Sequence, residues 1–295
     1  MATPALTHTR ARSRSTWTMK QRKKVQWTII SIVMWLLAIL FLLPFAWMLI
    51  SSLKREIDVF SMPVQWFPNP LNWENYVTVW TGEHPLTMYI GNSVMVAIVR
   101  VLGELLTASL AAYGFARLRF RGRDTLFFLY ISTLIIPAQL LLVPRFILFQ
   151  QLGLYDTLWA LILPGIFTAL GTFLLRQFFL TIPQELSDAA RIDGANDWHI
   201  YWRIILPLAK PALASLAILA FVWSWNDYET PLVMLTSEPN FTIPLGLTSY
   251  VDESGGFTAS LIMAGAVSSV VPIIVVFLFM QRQFIQALAR SGLKG

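Results

Sequence analysis

The 295-residue sequence contains no cysteine, which excludes both a disulfide framework and a thiolate metal site. Histidine is almost as scarce: His8, His84 and His199 stand far apart, so no local cluster offers imidazoles to a metal. Charged residues make up 13% of the chain, about half of what a soluble globular domain carries. No Gly-x-x-x-x-Gly-Lys-[Ser/Thr] occurs, so the chain has no P-loop of its own. His-Glu-x-x-His and Gly-x-Ser-x-Gly are missing too, and with them the commonest metallopeptidase and hydrolase signatures. Ser51-Ser-Leu-Lys54 matches the loose pattern Ser-x-x-Lys, but at the end of an apolar run it reads as a helix terminus with a snorkelling lysine. No catalytic residue and no metal ligand is assigned.

What is abundant is apolar side chain, at 56% of residues and a mean hydropathy of +0.60. Residues 25–53 carry no charge, and that run exceeds the ~20 residues a helix needs to cross the hydrocarbon core. Further runs of adequate length cover residues 88–115, 125–143, 157–175, 211–235 and 257–280. The expected fold class is therefore all-α: a polytopic membrane protein with six transmembrane helices. The first run is too long for a signal-peptide core and is followed by no small-residue cleavage pattern, so it is expected to be retained.

Lysine and arginine orient these spans. Arg10, Arg12, Arg14, Lys20, Arg22, Lys23 and Lys24 precede the first, and Arg117, Arg119, Arg121 and Arg123 separate the second from the third. The loop after span five carries Glu238, Asp252 and Glu253 without a basic residue, and the loop after span one sets Glu56, Asp58, Glu74 and Glu83 against Lys54 and Arg55. The positive-inside rule then places both termini in the cytoplasm. Topology accounts for the net charge of +6, so nucleic acid is not expected as a partner. Residues 1–24 read as a basic cytoplasmic tail against a lipid surface, and 25–295 as the transmembrane domain.

Between spans four and five lies an amphipathic, charged insert, ELSDAARIDGANDWHIYWRIILPLAKP. Pro183 suits a first helical turn, Glu185 and Asp188 put negative charge near the helix N-terminus, and Gly194 stands where a left-handed terminating residue is wanted. Asn196 can then cap a second helix. Leu186, Ala189, Ala190 and Asp193 recur at helical spacing and leave one face small and flat. Such a face suits docking into a protein groove. A helix lying on lipid headgroups, with Trp198, Tyr201 and Trp202 as anchors beside Arg203 and Lys210, meets the same pattern.

Asp188-Ala189-Ala190, Gly194 and Ile204-Ile205-Leu206-Pro207 resemble the EAA loop of ABC importer permeases, here residues 181–210, with Asp188 where that motif has glutamate. Asp193-Gly194-Ala195 fits the pattern as well. Asn92-Ser93, Trp225-Asn226-Asp227-Tyr228 and the ending Gly292-Leu-Lys-Gly295 extend the resemblance to carbohydrate permeases of the maltose-transporter G type. That resemblance implies a type I ABC importer permease fold in a bacterial or archaeal cytoplasmic membrane. The loop would be a coupling helix seated on an ATPase, with Glu185, Asp188, Ala189, Ala190, Asp193, Gly194, Leu206 and Pro207 as its ATPase-coupling residues. It also implies the partners: a homologous second permease, two ATPase subunits that bind ATP and Mg, and an extracytoplasmic solute-binding protein. By the same resemblance the chain is expected to bind no cofactor itself, and the cargo is expected to be a sugar, oligosaccharide or related polyol. Force on the first helix of the insert would pass through the second into span five.

Two clusters are candidates for a substrate path. Trp225, Asn226, Asp227 and Tyr228 combine rings with polar acceptors, as a polyhydroxylated ligand requires. An interfacial aromatic belt explains the tryptophans equally well, though not Asp227. Arg100 and Glu104, one turn apart within span two, are expected to pair with each other, or else to line the path. Ala108, Ala112 and Ala116 form a small-residue stripe for close helix packing. The loop of residues 237–256 is expected outside, where the resemblance gives it a contact with the binding protein. The rival from another class is a stand-alone secondary carrier or channel, and a third is a membrane scaffold. A carrier is expected to show midplane coupling carboxylates or inverted repeats; beyond Glu104 and Asp227 neither is seen.

Overall fold

The computed structural model describes residues 19–251 and 258–292. Arg10, Arg12 and Arg14 of the basic tail, Asp252 and Glu253, and residues 293–295 of the terminal motif lie outside the described residues. The chain divides into two units, residues 1–48 and 49–295. The described part of the first is the bulk of α1 (Met19–Ser52), basic in its first turns and apolar on every side beyond them.

The second unit is built from helices, with no sheet strand among the described residues. After α2 (Glu74–Thr81), the long α3 (Leu86–Arg117) forms its axis. α3 packs against α6 (Trp159–Ile166), α7 (Ala169–Thr181) and α10 (Lys210–Trp225), while α12 (Ala259–Gly292) packs on α10 and α2. The alanine stripe explains how α3 approaches so closely. Ala108, Ala112 and Ala116 are buried in one cluster with Leu175, Phe179 and Ile205, where small side chains let backbones come together.

Among the described residues, four stretches are long and apolar enough to cross a membrane: residues 21–52 within α1, then α3, the α6–α7 run Trp159–Thr181, and Ala259–Phe279 of α12. The number reaches six when each of two sharply bent pairs counts as one span.

The third and fifth spans depart from the straight helices expected there. The third, at residues 125–143, is broken into Arg123–Ile135 and Ala138–Gln151, at 92° to each other. The former holds α4 (Arg123–Ser132) and the latter α5 (Leu142–Gln151). Pro137 stands at the break; it lacks an N–H to continue the helix and drives Ile136 into extended backbone. The fifth, at residues 211–235, ends ten residues early, at Trp225, and α11 (Glu229–Met234) follows a break. Asn226 and Asp227 compete with the helix there: the Asn226 carboxamide donates to the Val222 carbonyl at 2.8 Å, and the Asp227 carboxylate accepts from the Thr230 N–H at 3.1 Å.

At the other end of α10 the chain turns by 76° from α9 (Asp197–Leu208), around Ala209. Pro207 and Pro211 flank this turn, and residues Tyr201–Ile205 of α9 are π-helical. Lys54 corrects the snorkelling expectation. It is 1% exposed, folded into the knot where the Asn75 carboxamide donates to the Ser52 and Lys54 carbonyls.

Candidate functional site

The insert folds as two helices. Pro183 precedes α8 (Gln184–Ile192), and Asn196 caps α9 by accepting from the His199 N–H at 2.8 Å. Between them Gly194 has φ +86°. The Ala195 N–H donates to the Ala190 carbonyl and the Gly194 N–H to the Arg191 carbonyl, at 2.9 and 3.0 Å. This is a Schellman closure, which requires the left-handed residue that glycine supplies without strain.

The closure gives α8 two unlike faces. Ser187 is buried, and Ala190 packs against the core with Ala195 and Leu206. Leu186, Ala189 and Asp193 are exposed, as are Glu185, Asp188 and Pro207. Of the aromatic residues after it, Trp198 and Trp202 are exposed, whereas Tyr201 is buried with its hydroxyl 2.7 Å from that of Ser109.

Asp188 is already engaged within the chain. Its carboxylate accepts from Arg191 at 3.1 Å and from the Gln184 carboxamide at 3.4 Å, while its side chain stays 58% exposed. Arg191 also donates to Asp197 at 2.9 Å, and Asp197 accepts from the Tyr113 hydroxyl at 3.4 Å. Arg117, expected as an inside charge, has a second role that its position in the sequence does not signal. In the fold it is 6% exposed and donates to the Phe179 and Ile182 carbonyls and to the Gln184 carboxamide oxygen, the last at 2.6 Å.

The second cluster sits at the break after α10. Trp225 is buried, stacked on Phe221 and donating to the Ser269 carbonyl at 3.1 Å. Asn226 and Tyr228 are exposed, and Asp227 is partly so. The expected Arg100–Glu104 pair does not form. Glu104 accepts from the Thr168 hydroxyl at 2.5 Å, and Arg100 reaches instead to Asp227, at 3.5 Å. The cause is Gly165, opposite α3: a Cβ there would fall 1.9 Å from the Arg100 Nε, so the guanidinium occupies the space a side chain would fill. Arg145 lies in the electrostatic field of both Asp227 and Arg100, and the Gln139 carboxamide donates to Glu229 at 3.3 Å.

Beyond this break the described part of the loop is held by hydrogen bonds. The Asp156 carboxylate accepts from the Thr236 and Ser237 N–H groups at 2.9 Å and from the Ser237 hydroxyl. Removal from water alone would raise its pKa; these hydrogen bonds, with one involving Asn240, hold it down at about 2. Glu238 accepts from the Tyr89 hydroxyl at 2.6 Å and lies 2.6 Å from the His84 Nδ1. Asn92 donates to the Pro239 and Phe241 carbonyls, and Ser93 accepts from the Ile243 N–H. Asn92-Ser93 thus clasps the loop after α11.

No cluster of three or more histidine and acidic residues suited to a metal occurs among the described residues. Residues 104–290 match the model of the binding-protein-dependent transport system inner membrane component family.

The chain belongs to that family.

This permease is 40% identical over 228 residues to the arabinooligosaccharides transport system permease protein AraQ of Halalkalibacterium halodurans, covering 77% of this chain and 81% of that one. It is 34% identical over 259 residues to the sn-glycerol-3-phosphate transport system permease protein UgpE of Yersinia pestis, covering 86% and 92%. A chain from the crystal structure of a bacterial ABC transporter involved in the import of the acidic polysaccharide alginate superposes with a TM-score of 0.79 at 25% identity, over 94% of this chain and all of that one. The permease is thus a multi-pass membrane subunit of an ABC importer, not an enzyme.

Proposed function

We propose that the permease carries a sugar, oligosaccharide or related polyol across the cytoplasmic membrane, driven by ATP that two partner ATPases hydrolyse with Mg. A homologous second permease completes the pore, and an extracytoplasmic binding protein delivers the cargo. Arabinooligosaccharides, sn-glycerol-3-phosphate and alginate, named for the relatives and the similar structure, share that polyhydroxylated chemistry. In this reading the pair bent at Pro137 is the third span and α10 is the core of the fifth, giving six, with residues 1–24 and both termini inside.

One observation carries the coupling assignment: α8 ends in a Schellman closure at Gly194 that leaves Leu186 and Ala189 exposed beside the carboxylates Glu185, Asp188 and Asp193. A small apolar face bordered by acids fits a groove lined with basic residues. Leu206 and Pro207 join this face to α10 through the bend at Ala209. Asn226, Asp227 and Tyr228, with Trp225 packed behind them, are assigned to the substrate path. Their support is a helix break carrying polar groups in a span where charge is costly.

The test is reconstitution. The chain is tagged, its copurifying subunits are identified, and uptake into vesicles is measured with arabinotriose, maltose, glycerol and an alginate trisaccharide as probes. ATP-dependent, binding-protein-dependent uptake of at least one probe is expected. Proton-driven uptake by the lone chain would refute the reading.

A further inference from the structure

The hydrogen bonds around the insert form a closed circuit that begins and ends on α3. Arg117 donates to Gln184, Gln184 to Asp188, Arg191 to Asp188 and Asp197, and Tyr113 to Asp197. Tyr113 and Arg117 are one turn apart on α3. The two ends of the circuit differ in burial. The side chains of Asp188, Arg191 and Asp197 are 58%, 38% and 50% exposed, and exposed ion pairs of this kind add little stability. Arg117 is 6% exposed. Two of its hydrogen bonds go to the Phe179 and Ile182 carbonyls at the end of α7, the first of which also accepts from the Ile182 N–H at 3.2 Å. A buried guanidinium needs such partners, and they tie it in place. Its remaining bond goes to Gln184, the first residue of α8.

We propose that Arg117 is a positioning residue for energy coupling: it makes α3, and not only span five, move with the coupling helix. The inference rests on α8 being that helix. The route by sequence order, through α9 to α10, contains the 76° bend and a π-helical turn, whereas the route through Arg117 crosses one hydrogen bond into a continuous 32-residue helix. That helix also carries Arg100, the ion partner of Asp227 at the break after α10. A displacement of α8 therefore reaches the proposed substrate path along α3.

The absence of cysteine from the chain allows a direct test. In the complete reconstituted complex, Gln184→Ala removes the acceptor at the exposed side of the joint. The pair Arg117→Cys and Gln184→Cys allows it to be closed again with a short bifunctional maleimide. The readout is ATPase activity per assembled complex, stimulated by the binding protein with whichever sugar of the panel above stimulates the wild type most.

Gln184→Ala and the unbridged pair should lose about fivefold or more of the stimulation, the lower range of measured couplings, with assembly retained. Bridging should restore it. Restoration is the result a merely structural role would not give. Unchanged stimulation in Gln184→Ala, or a bridged complex that is blocked, would overturn the proposal; should the cysteine pair fail to assemble, Gln184→Ala decides alone. Gly194→Ile and Asp188→Lys separate the two readings. If neither alters stimulation, α8 is not the coupling helix; if both uncouple while Gln184→Ala is silent, only the Arg117 joint falls.

Discussion

Replacing Gly194 isolates a conformational cost from a packing cost. At φ +86°, an added Cβ would meet no atom within 4 Å, so any effect comes from the backbone. An L-residue in the left-handed region costs about 1–2 kcal/mol relative to glycine, and a β-branched residue more. Asparagine tolerates this region best among the alternatives. The cost falls on the state in which Ala195 bonds to Ala190 and Gly194 to Arg191, the state that presents the outer face of α8. With tenfold in population for each ~1.4 kcal/mol, Gly194→Ala should lower that state relative to its competitors by about five- to thirtyfold. Gly194→Asn should do less and Gly194→Ile more. The assay is stimulated ATPase activity of the assembled complex, with the amount of complex as the control. Wild-type stimulation in Gly194→Ile, or weaker stimulation in Gly194→Asn than in Gly194→Ala, would refute the argument that left-handed geometry sets the face.

Other outcomes follow from the polar contacts. Asp227→Asn and Asn226→Ala should reduce transport per complex about tenfold with assembly intact, and Arg100→Gln should match them, since hydrogen bonds to charged groups are worth ~1.5–3 kcal/mol; wild-type transport in all three would remove the break from the path. Asp156 stabilises its loop above the ordinary carboxylate pKa near 3.8 and loses that contribution as pH falls toward about 2. Protection of the Thr236 and Ser237 amides from hydrogen exchange, taken relative to the intrinsic rate at each pH, should fall across that window in the wild type but not in Asp156→Asn, and equal acid dependence in both would count against the clasp. Reporter fusions at Gly295 and between Arg117 and Arg123 should be cytoplasmic and one at Ser254 external; an external signal at Gly295 would overturn the orientation.

What could be read from the sequence was local. Pro183, Gly194 and Asn196 announce the two-helix insert because each acts on its own backbone, and the alanine stripe of α3 announces close packing because its period is that of one helix. Arg100 shows the opposite. Its helical neighbour Glu104 is the obvious partner by spacing, but Gly165 opens a place for the guanidinium and Asp227 receives it, 127 residues along the chain. The same holds for Arg117, whose role depends on the carbonyls of α7. The break at Pro137 and the end of α10 at Asn226-Asp227 had local signals, which apolar run length averages away. Lys54 gave none, since its burial depends on the chain returning to it at Asn75.

The π-helical turn at Tyr201–Ile205 fixes the rotational phase of everything that follows. Such a turn holds one more residue than the α-helix it replaces, and each residue of an α-helix advances the side-chain direction by about 100°. Tyr201, Ile205 and Ala209, at successive intervals of four, and Ile200 beside them are all buried in the same core, so the turn is accommodated without moving that stripe off the core. Deleting a single residue within the turn would swing Ile205 and Ala209 away from Phe179 and would present a different edge of α10 to α3. The four-residue register from Tyr201 to Ala209 thus acts as an angular alignment, letting a helix that begins on the surface turn inward with its buried side already facing the core.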